Sequence, residues 1–316
     1  MTPELVWRWL ERGELDLPAP GSGQTARRWW KLAALTERDV VAGRLAEAHT
    51  DAVAILAELG GPTPKPGQLW GVWAAESAEA VVTVTDDGET AALDGTKAWC
   101  SGAGLCTHAL ITARRKDNAR GLYAVDLSQP QVMPLTHSWR NAGMRGSDTR
   151  SVQLCGAAAE PVGRPGEYLD RAGFWHGAMA VAACWLGGAR GVAGALYSAV
   201  ADEHSSASGD VHAHAHLGAV DAALAAGEAV LMSAACYVDA EPHGDRAELM
   251  ARRVRAVVEH AVDEAITRTG RALGPKTLAL DGEHAQRVAD LTLYVRQSHA
   301  ERDLAALGRL AARRVR

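Results

Sequence analysis

The sequence has little of several features that mark particular classes of protein. It holds one Phe, no long basic block and no CxxC pair among its five cysteines, and its net charge at pH 7 is −5. Nucleic-acid binding is therefore not expected, because contacts to a phosphate backbone need clustered positive charge. Scattered cysteines, odd in number, are typical of reduced thiols, so we expect a cytoplasmic protein rather than a disulfide-stabilised one.

Membrane signals are also scarce in the sequence. The first ten residues are too polar for the apolar core of a secretory signal peptide. No uninterrupted apolar run reaches the roughly 18 residues that a membrane-spanning helix requires. We therefore expect no membrane partner.

What the sequence does contain is alanine, its most abundant residue, which favours closely packed helices over a large β-sandwich. The periodicity divides the chain into three zones. In residues 1–70, apolar side chains recur at helical spacing over Glu37–Leu59, and the Gly60-Gly61-Pro62 sequence ends the pattern. Residues 71–165 change to strand spacing, and residues 166–316 return to helix.

The second zone predicts a small antiparallel β domain or barrel. Val81–Thr85, a turn at Asp86–Gly88 and Thr90–Leu93 have the pattern of a strand, a turn and a second strand. Further extended segments, separated by Gly, Asn, Asp and Pro, are predicted at 96–100, 109–113, 121–126 and 151–155.

The third zone predicts four long helices joined by short links, at about 168–200, 216–239, 245–273 and 282–312. Gly187, Gly188, Gly191 and Gly194 in the first of them permit close approach of a neighbouring helix. Such a series is typical of an antiparallel four-helix bundle. The predicted class is α+β and mostly helical, with a short N-terminal helical part, a central β domain and a C-terminal bundle.

Two segments of the β zone carry a family resemblance. Residues 93–103 read LDGTKAWCSGA and residues 143–149 read GMRGSDT. Together they resemble the central β domain of the acyl-CoA dehydrogenase family, and the Gly- and Ala-rich residues 187–193 are similar to the start of that family's bundle. The resemblance covers about residues 70–316. It implies a shortened N-terminal helical region, FAD in a crevice between β domain and bundle, an acyl-CoA-type substrate and a homodimer or homotetramer.

The resemblance also implies which residues contact the cofactor. Trp99 would lie against the flavin ring and Ser101 would approach its polar edge. Two residues apart on a strand, they would share one face of it, and an indole beside a hydroxyl suits a planar ring with a polar edge. Arg271 and Gly274 would reach the cofactor of a neighbouring subunit. The other cofactor-binding residues implied are Trp73, Ala75, Ser77 and Cys100.

Other positions depart from the family's pattern. Residues 203–213, where the family has an Arg and a Phe beside the cofactor pyrophosphate, contain neither. The carboxylate that serves the family as base would fall near Ser298, and its alternative location, Met179–Ala183, holds small apolar residues. His176 and His299 are possible replacements in an oxygenase-type relative, although a structural role is favoured for both. The sequence assigns no catalytic residue.

A metal site is not expected either. The histidines at 204, 212, 214 and 216 lie in a predicted loop, without a cysteine or carboxylate at ligand spacing.

Three functions remain open from the sequence. The leading one is flavin-dependent oxidation of an acyl-CoA or similar small substrate. The alternatives are a catalytically inactive relative that acts as a structural or regulatory partner, and a relative of the flavin monooxygenases.

Overall fold

The computed structural model describes residues 2–86, 90–136 and 139–313, beginning with three helices. These are α1 (Thr2–Glu11), α2 (Thr25–Arg38) and α3 (Val40–Leu59). The predicted helix over Glu37–Leu59 is interrupted at Asp39, whose backbone is extended and whose Oδ1 accepts a hydrogen bond from Ala42 N at 2.7 Å. That bond caps α3, so one continuous helix gives way to two.

Five strands of the central region close into a barrel. The strands of the region are β1 (Trp70–Trp73), β2 (Val82–Asp86), β3 (Ala91–Cys100), β4 (His108–Arg114), β5 (Arg120–Asp126), β6 (Val132–Pro134) and β7 (Arg150–Val162). Strand β4 pairs with β2, β2 with β3, β3 with β7, β7 with β5, and β5 again with β4. The predicted barrel is present, but it is not wholly antiparallel, because β4 runs parallel to both β1 and β2.

Strand β3 merges two segments that the sequence analysis separated, 90–93 and 96–100. The pairing with β7 shifts register between Leu93 and Asp94 and again between Lys97 and Cys100. Gly95 has φ +122°, and a Cβ on it would overlap the carbonyl oxygen of Val81. A glycine in a strand pattern therefore marked a bulge, not a strand end. Residues 87 and 88 of the predicted turn lie outside the described residues.

The barrel has an apolar interior and one covered outer face. Trp73, Leu93, Ile111, Val152 and Leu154 belong to the buried interior cluster. On the outside, α3 packs against the strands in a second cluster that includes Ile55, Leu56, Trp70, Leu110 and Leu122.

The C-terminal helices are α4 (Glu167–Asp170), α5 (Ala172–Ala201), α6 (Val211–Ala240), α7 (Ala247–Leu273), α8 (Pro275–Leu280), α9 (Gly282–Tyr294) and α10 (Glu301–Arg313). They largely follow the prediction, with three corrections. The predicted helix over 168–200 is interrupted at Arg171, whose backbone is extended. Helix α6 starts at Val211 rather than 216, because Asp210 accepts a hydrogen bond from His212 N at 2.9 Å and caps it. The predicted last helix breaks at 295–300 into a 3-10 turn, an extended Ser298 and Ala300 at φ +44°.

Glycines of α5 allow close helix contacts, as predicted. A Cβ on Gly187 would overlap the backbone of Ala33 in α2, and one on Gly188 would overlap the side chain of Leu291 in α9. Gly191 likewise lies against the carbonyl of Glu37, whereas Gly194 faces open space.

By length and composition, α5 and α6 are each apolar enough to cross a membrane. The prediction of no membrane span rested on uninterrupted apolar runs, whereas both helices intersperse polar residues among apolar ones. Most of the apolar window of α5 is buried inside the protein, whereas only a third of that of α6 is.

The chain groups into two compact units. The barrel unit comprises residues 2–17, 45–140 and 145–174. The helical unit comprises residues 18–44, 141–144 and 175–313. The predicted domains 1–70, 71–165 and 166–316 stay a prediction.

Candidate functional site

The end of β3 presents an exposed tryptophan in a strained backbone conformation. Trp99 has φ +62° and is 62% exposed. Bulky residues adopt positive φ rarely, and such strain is concentrated at functional sites. Its indole makes an edge-to-face contact with Trp139, with ring centroids 6.4 Å apart. The register shift between Lys97 and Cys100 is what turns Trp99 outward.

Ser101 lies one residue beyond the end of β3, so strand alternation is not what relates it to Trp99. The prediction that both share a strand face rested on strand alternation. It was wrong, because the bulge interrupts that alternation and β3 ends before Ser101. Ser101 Oγ accepts a hydrogen bond from Thr149 Oγ1 at 3.1 Å, and Thr149 Oγ1 lies 2.7 Å from Ser147 Oγ. The hydroxyl groups of Ser101, Thr149 and Ser147 thus form a hydrogen-bonded row, and Ser101 follows Trp99 by two residues in the chain.

The two motifs behind the family resemblance fold against each other. Gly102 N donates to Ser147 O at 2.7 Å, and Ala103 N donates to Asp148 O at 3.2 Å. Asp148 Oδ2 accepts a further bond from Gly104 N at 2.9 Å. These bonds bring Ser147 and Thr149 to the site, although the sequence analysis did not single them out. Their place in the motif over residues 143–149 was the signal from which they could have been predicted.

The side chain of Cys100 points away from the exposed Trp99, into the barrel. It is buried in the barrel interior, and its Sγ donates to Lys97 O at 3.2 Å. Burial raises the pKa of this thiol far above its usual range. Only the backbone of Cys100 can face anything outside the barrel.

Three of the predicted cofactor-binding residues lie at the end of β1 and in the loop that follows it. Trp73 is buried in the barrel, where its Nε1 donates to Ser101 O at 2.9 Å. Ala75 is exposed and Ser77 is half-buried. The backbone bridge between Ser77 and Ala80 gives this loop a tight turn.

In the helical unit, the segment over 203–213 and the segment that follows α7 line one surface cleft of about 690 Å³. Gly274 ends α7 at φ +67°, and Arg271 is exposed but does not line the cleft. The basic residue among the lining residues is Lys276, which the sequence analysis missed. Other lining residues are Ser205, Ser206, Ala207, Asp210, Ala272, Leu273, Thr277 and Asp281.

The two acids of the cleft are engaged in helix capping. Asp210 caps α6, and Asp281 caps α9 by accepting from Glu283 N at 3.1 Å and His284 N at 3.0 Å. The carboxylates are therefore turned to backbone N–H groups, and Lys276 contributes a mobile positive charge to the cleft.

Comparison with known proteins identifies this architecture. TdsC from Paenibacillus sp. A11-2, solved with FMN and indole, superposes with a TM-score of 0.77 over 97% of this chain and 95% of that chain, at 18% identity. A steroid ACAD variant superposes with a TM-score of 0.78 over 99% and 89%, at 19% identity. The chain has the acyl-CoA dehydrogenase fold. Methanesulfinate monooxygenase MsuC from Pseudomonas fluorescens has it too, with a TM-score of 0.77 over 99% and 96%, at 15% identity. No family model and no curated protein matches the sequence.

Within the acyl-CoA dehydrogenase fold of this chain, the predicted base position receives a carboxylate from another helix. Ser298 lies in the link between α9 and α10, and its Oγ donates to Glu259 Oε2 of α7 at 2.6 Å. Glu259 was not a sequence candidate, because nothing local relates residues 39 positions apart. The alternative location, Met179–Ala183, is apolar and mostly buried.

The two candidate histidines differ in environment. His176 is buried in α5. His299 is exposed, and its backbone N donates to Asp303 Oδ2 at 3.1 Å. Ser298 Oγ, at the predicted base position, donates its hydrogen bond to Glu259 Oε2.

The histidines near 212 lie on the first turns of α6, not in the predicted loop. His214 Nε2 contacts Ser208 O at 2.7 Å. Within the residues that the structure describes, no group of three His, Cys, Asp or Glu side chains has the arrangement of a metal site.

Proposed function

We propose that the protein is a flavin-dependent oxidoreductase. The observation that carries the proposal is Trp99, an exposed indole held at positive φ, followed two residues later by Ser101, whose hydroxyl is bonded to those of Thr149 and Ser147 in a row. An aromatic face next to hydroxyl groups fits a planar heterocycle with a polar edge. A bound flavin supplies a two-electron acceptor or, once reduced, a reactant for dioxygen.

The chain's own residues would divide the binding between them. Trp99 would stack on the ring, Ser101 would hydrogen-bond its polar edge, and the backbone of Ala75–Ser77 would border it. The cleft of the helical unit is a separate candidate site, where Lys276, with Ser205 and Ser206, would contact phosphate oxygens of a ligand, because an ammonium and hydroxyls are ordinary phosphate ligands. We propose FAD as the flavin, because residues 93–103 and 143–149 resemble the acyl-CoA dehydrogenase family, for which FAD is the implied cofactor.

The proposed reaction is oxidation of an acyl-CoA or similar small substrate. Such an oxidation needs a base on the protein that takes a proton from the substrate. The candidate is Glu259, which accepts a hydrogen bond from Ser298, and a carboxylate oxygen of Glu259 would hold that proton. A flavin monooxygenase is the second candidate. It is favoured by a serine where the family's base would stand, and by the monooxygenases TdsC and MsuC that share the fold.

The deciding experiment titrates purified protein with FAD and FMN and follows flavin absorption and fluorescence. Trp99→Gly removes the indole and relieves the strain, so we expect the free energy of unfolding to stay within about 1 kcal/mol of wild type. Flavin affinity should fall at least tenfold.

Asn118→Gly is the matched control, because Asn118 is also exposed and at positive φ, in the β4–β5 turn. It should leave flavin affinity unchanged. Wild-type protein that binds neither flavin would overturn the proposal and favour the inactive structural or regulatory partner.

We also propose a cytoplasmic homo-oligomer, a homodimer or homotetramer. The cytoplasmic location is proposed on the scattered free cysteines, and the self-association on a stripe of exposed small or apolar residues along α6.

A further inference from the structure

A buried lysine inside the barrel has no part in the proposed chemistry. The Lys97 side chain is 3% exposed, and its Nζ donates to Thr112 O at 3.0 Å, to Thr112 Oγ1 at 2.8 Å and to Glu76 Oε1 at 3.3 Å. All three donors of the ammonium are used. A buried lysine so fully bonded holds its partners in place.

The carboxylate that Lys97 holds belongs to the loop over residues 74–81, which we call the strap. Glu76 Oε1 also accepts from Thr112 Oγ1 at 3.1 Å, while its Oε2 lies 3.5 Å from Arg114 and 3.7 Å from Arg120. Glu76 thus has an inner side, at Lys97 and Thr112, and an outer side, at two half-exposed arginines. Burial alone would raise the pKa of Glu76, but Lys97, Arg120 and the hydrogen bonds outweigh it, so the pKa is lowered and the group stays charged.

Lys97 also adjoins the bulge that carries Trp99. Its carbonyl accepts from Cys100 Sγ, and the register shift of β3 begins at Lys97. A second link, Trp73 Nε1 to Ser101 O, joins the base of the strap to the same bulge. Two segments far apart in sequence, the strap and the bulge, are therefore connected by buried polar contacts within the barrel unit.

We propose that Lys97 is a positioning residue that fixes the strap against the Trp99 bulge, so that both border one ligand in a set geometry. The inference rests on the proposed function in taking that ligand to be a flavin. Without the Lys97–Glu76 link, the carboxylate turns to Arg114 and Arg120 and the strap moves outward. Ala75 and Ser77, which the strap carries, then lose their place relative to Trp99 and Ser101.

The test uses full-length Lys97→Met, Glu76→Gln and the double variant, with Lys116→Met as control. Lys116 is exposed in the β4–β5 turn. Flavin affinity should fall about tenfold in each single variant and no further in the double variant, because either change breaks the same link. The midpoint of urea unfolding should recover in the double variant, since it leaves no buried charge unpaired. Affinity that recovers along with stability would show a merely structural role and overturn the inference.

Amide hydrogen exchange of residues 74–81 gives a readout that needs no flavin. Exchange in the strap should become about tenfold faster in Lys97→Met and Glu76→Gln, and stay unchanged in Lys116→Met. If wild-type protein binds no flavin, the proposed function fails, and exchange alone then decides the positioning role. Strap exchange at the wild-type rate in both variants would overturn it. Glu76→Gln keeps the test open if Lys97→Met does not fold, because Glu76 lies at the barrel surface.

Discussion

Gly95 is a residue whose identity the barrel requires. Its φ of +122° is a conformation that other residues rarely adopt, and a Cβ there would overlap the carbonyl of Val81 in the approach to β2. We predict that Gly95→Ala lowers the free energy of unfolding by about 3 kcal/mol, combining backbone strain with displacement of β2. Urea unfolding followed by tryptophan fluorescence measures the change.

Gly308→Ala is the comparison, because Gly308 lies within α10 with open space where its Cβ would be. Alanine has the higher helix propensity, so this variant should gain about 0.5–1 kcal/mol. Equal losses from the two substitutions would contradict the role assigned to Gly95.

At the level of elements, α9 is fastened to residues 141–144 of the helical unit by one buried carboxylate. Asp290 accepts hydrogen bonds from Met144 N and from Gln286 Nε2, the latter at 2.8 Å. Gln286 Nε2 also donates to Ala142 O at 3.1 Å. Burial raises the pKa of Asp290 despite the hydrogen bonds that lower it.

This raised pKa predicts a pH dependence of stability. Between its unfolded and folded pKa values, Asp290 holds more protons in the folded than in the unfolded state, so its contribution to stability falls as the pH rises. Asparagine keeps an acceptor for Met144 N without the charge. The free energy of unfolding of Asp290→Asn, minus that of wild type, should therefore rise from about pH 4 upward and level off once Asp290 has ionised. Urea titrations at half-unit pH steps measure it, and a difference that stays constant with pH would contradict the prediction.

Sequence-based prediction fails where the conformation of one segment is set by its contacts with another. Local patterns predicted the strands and long helices, because apolar spacing and glycine stops act within a few residues. They missed the break at Ala300 and the bulge at Trp99, which depend on neighbouring strands and helices. At the site, the motifs pointed to Trp99 and Ser101, whereas Glu259 meets Ser298 through a tertiary contact that leaves no local pattern.

For the molecule as a whole, the exposed face of α6 bears on self-association. Its exposed small and apolar residues repeat at intervals of three and four, at Val211, Ala215, Gly218, Ala222, Ala225, Ala229, Met232 and Cys236. A 30-residue helix is about 45 Å long, and such spacing is that of a seam between two helices. Leaving it exposed to water is unfavourable.

We therefore predict that sedimentation velocity finds the wild-type protein as a dimer or tetramer, and Met232→Glu largely as a monomer. A buried carboxylate without a partner opposes association. Met133→Glu in β6 is the matched control, because Met133 is 43% exposed and Met232 is 42% exposed. Dissociation by the Met133 variant alone would place the contact elsewhere, and a monomeric wild type would reject the prediction.

The division of the chain has a consequence for its synthesis. Helix α2 buries Trp29, Leu32 and Ala33, and Ala33 lies against Gly187 of α5, in the same helical unit. At a ribosomal rate of 5–20 residues per second, α2 waits about 8–30 s for the roughly 150 residues that separate it from this partner. Until then its apolar face has no partner to bury it, so we expect the nascent chain to be most open to chaperone binding while the barrel is being translated.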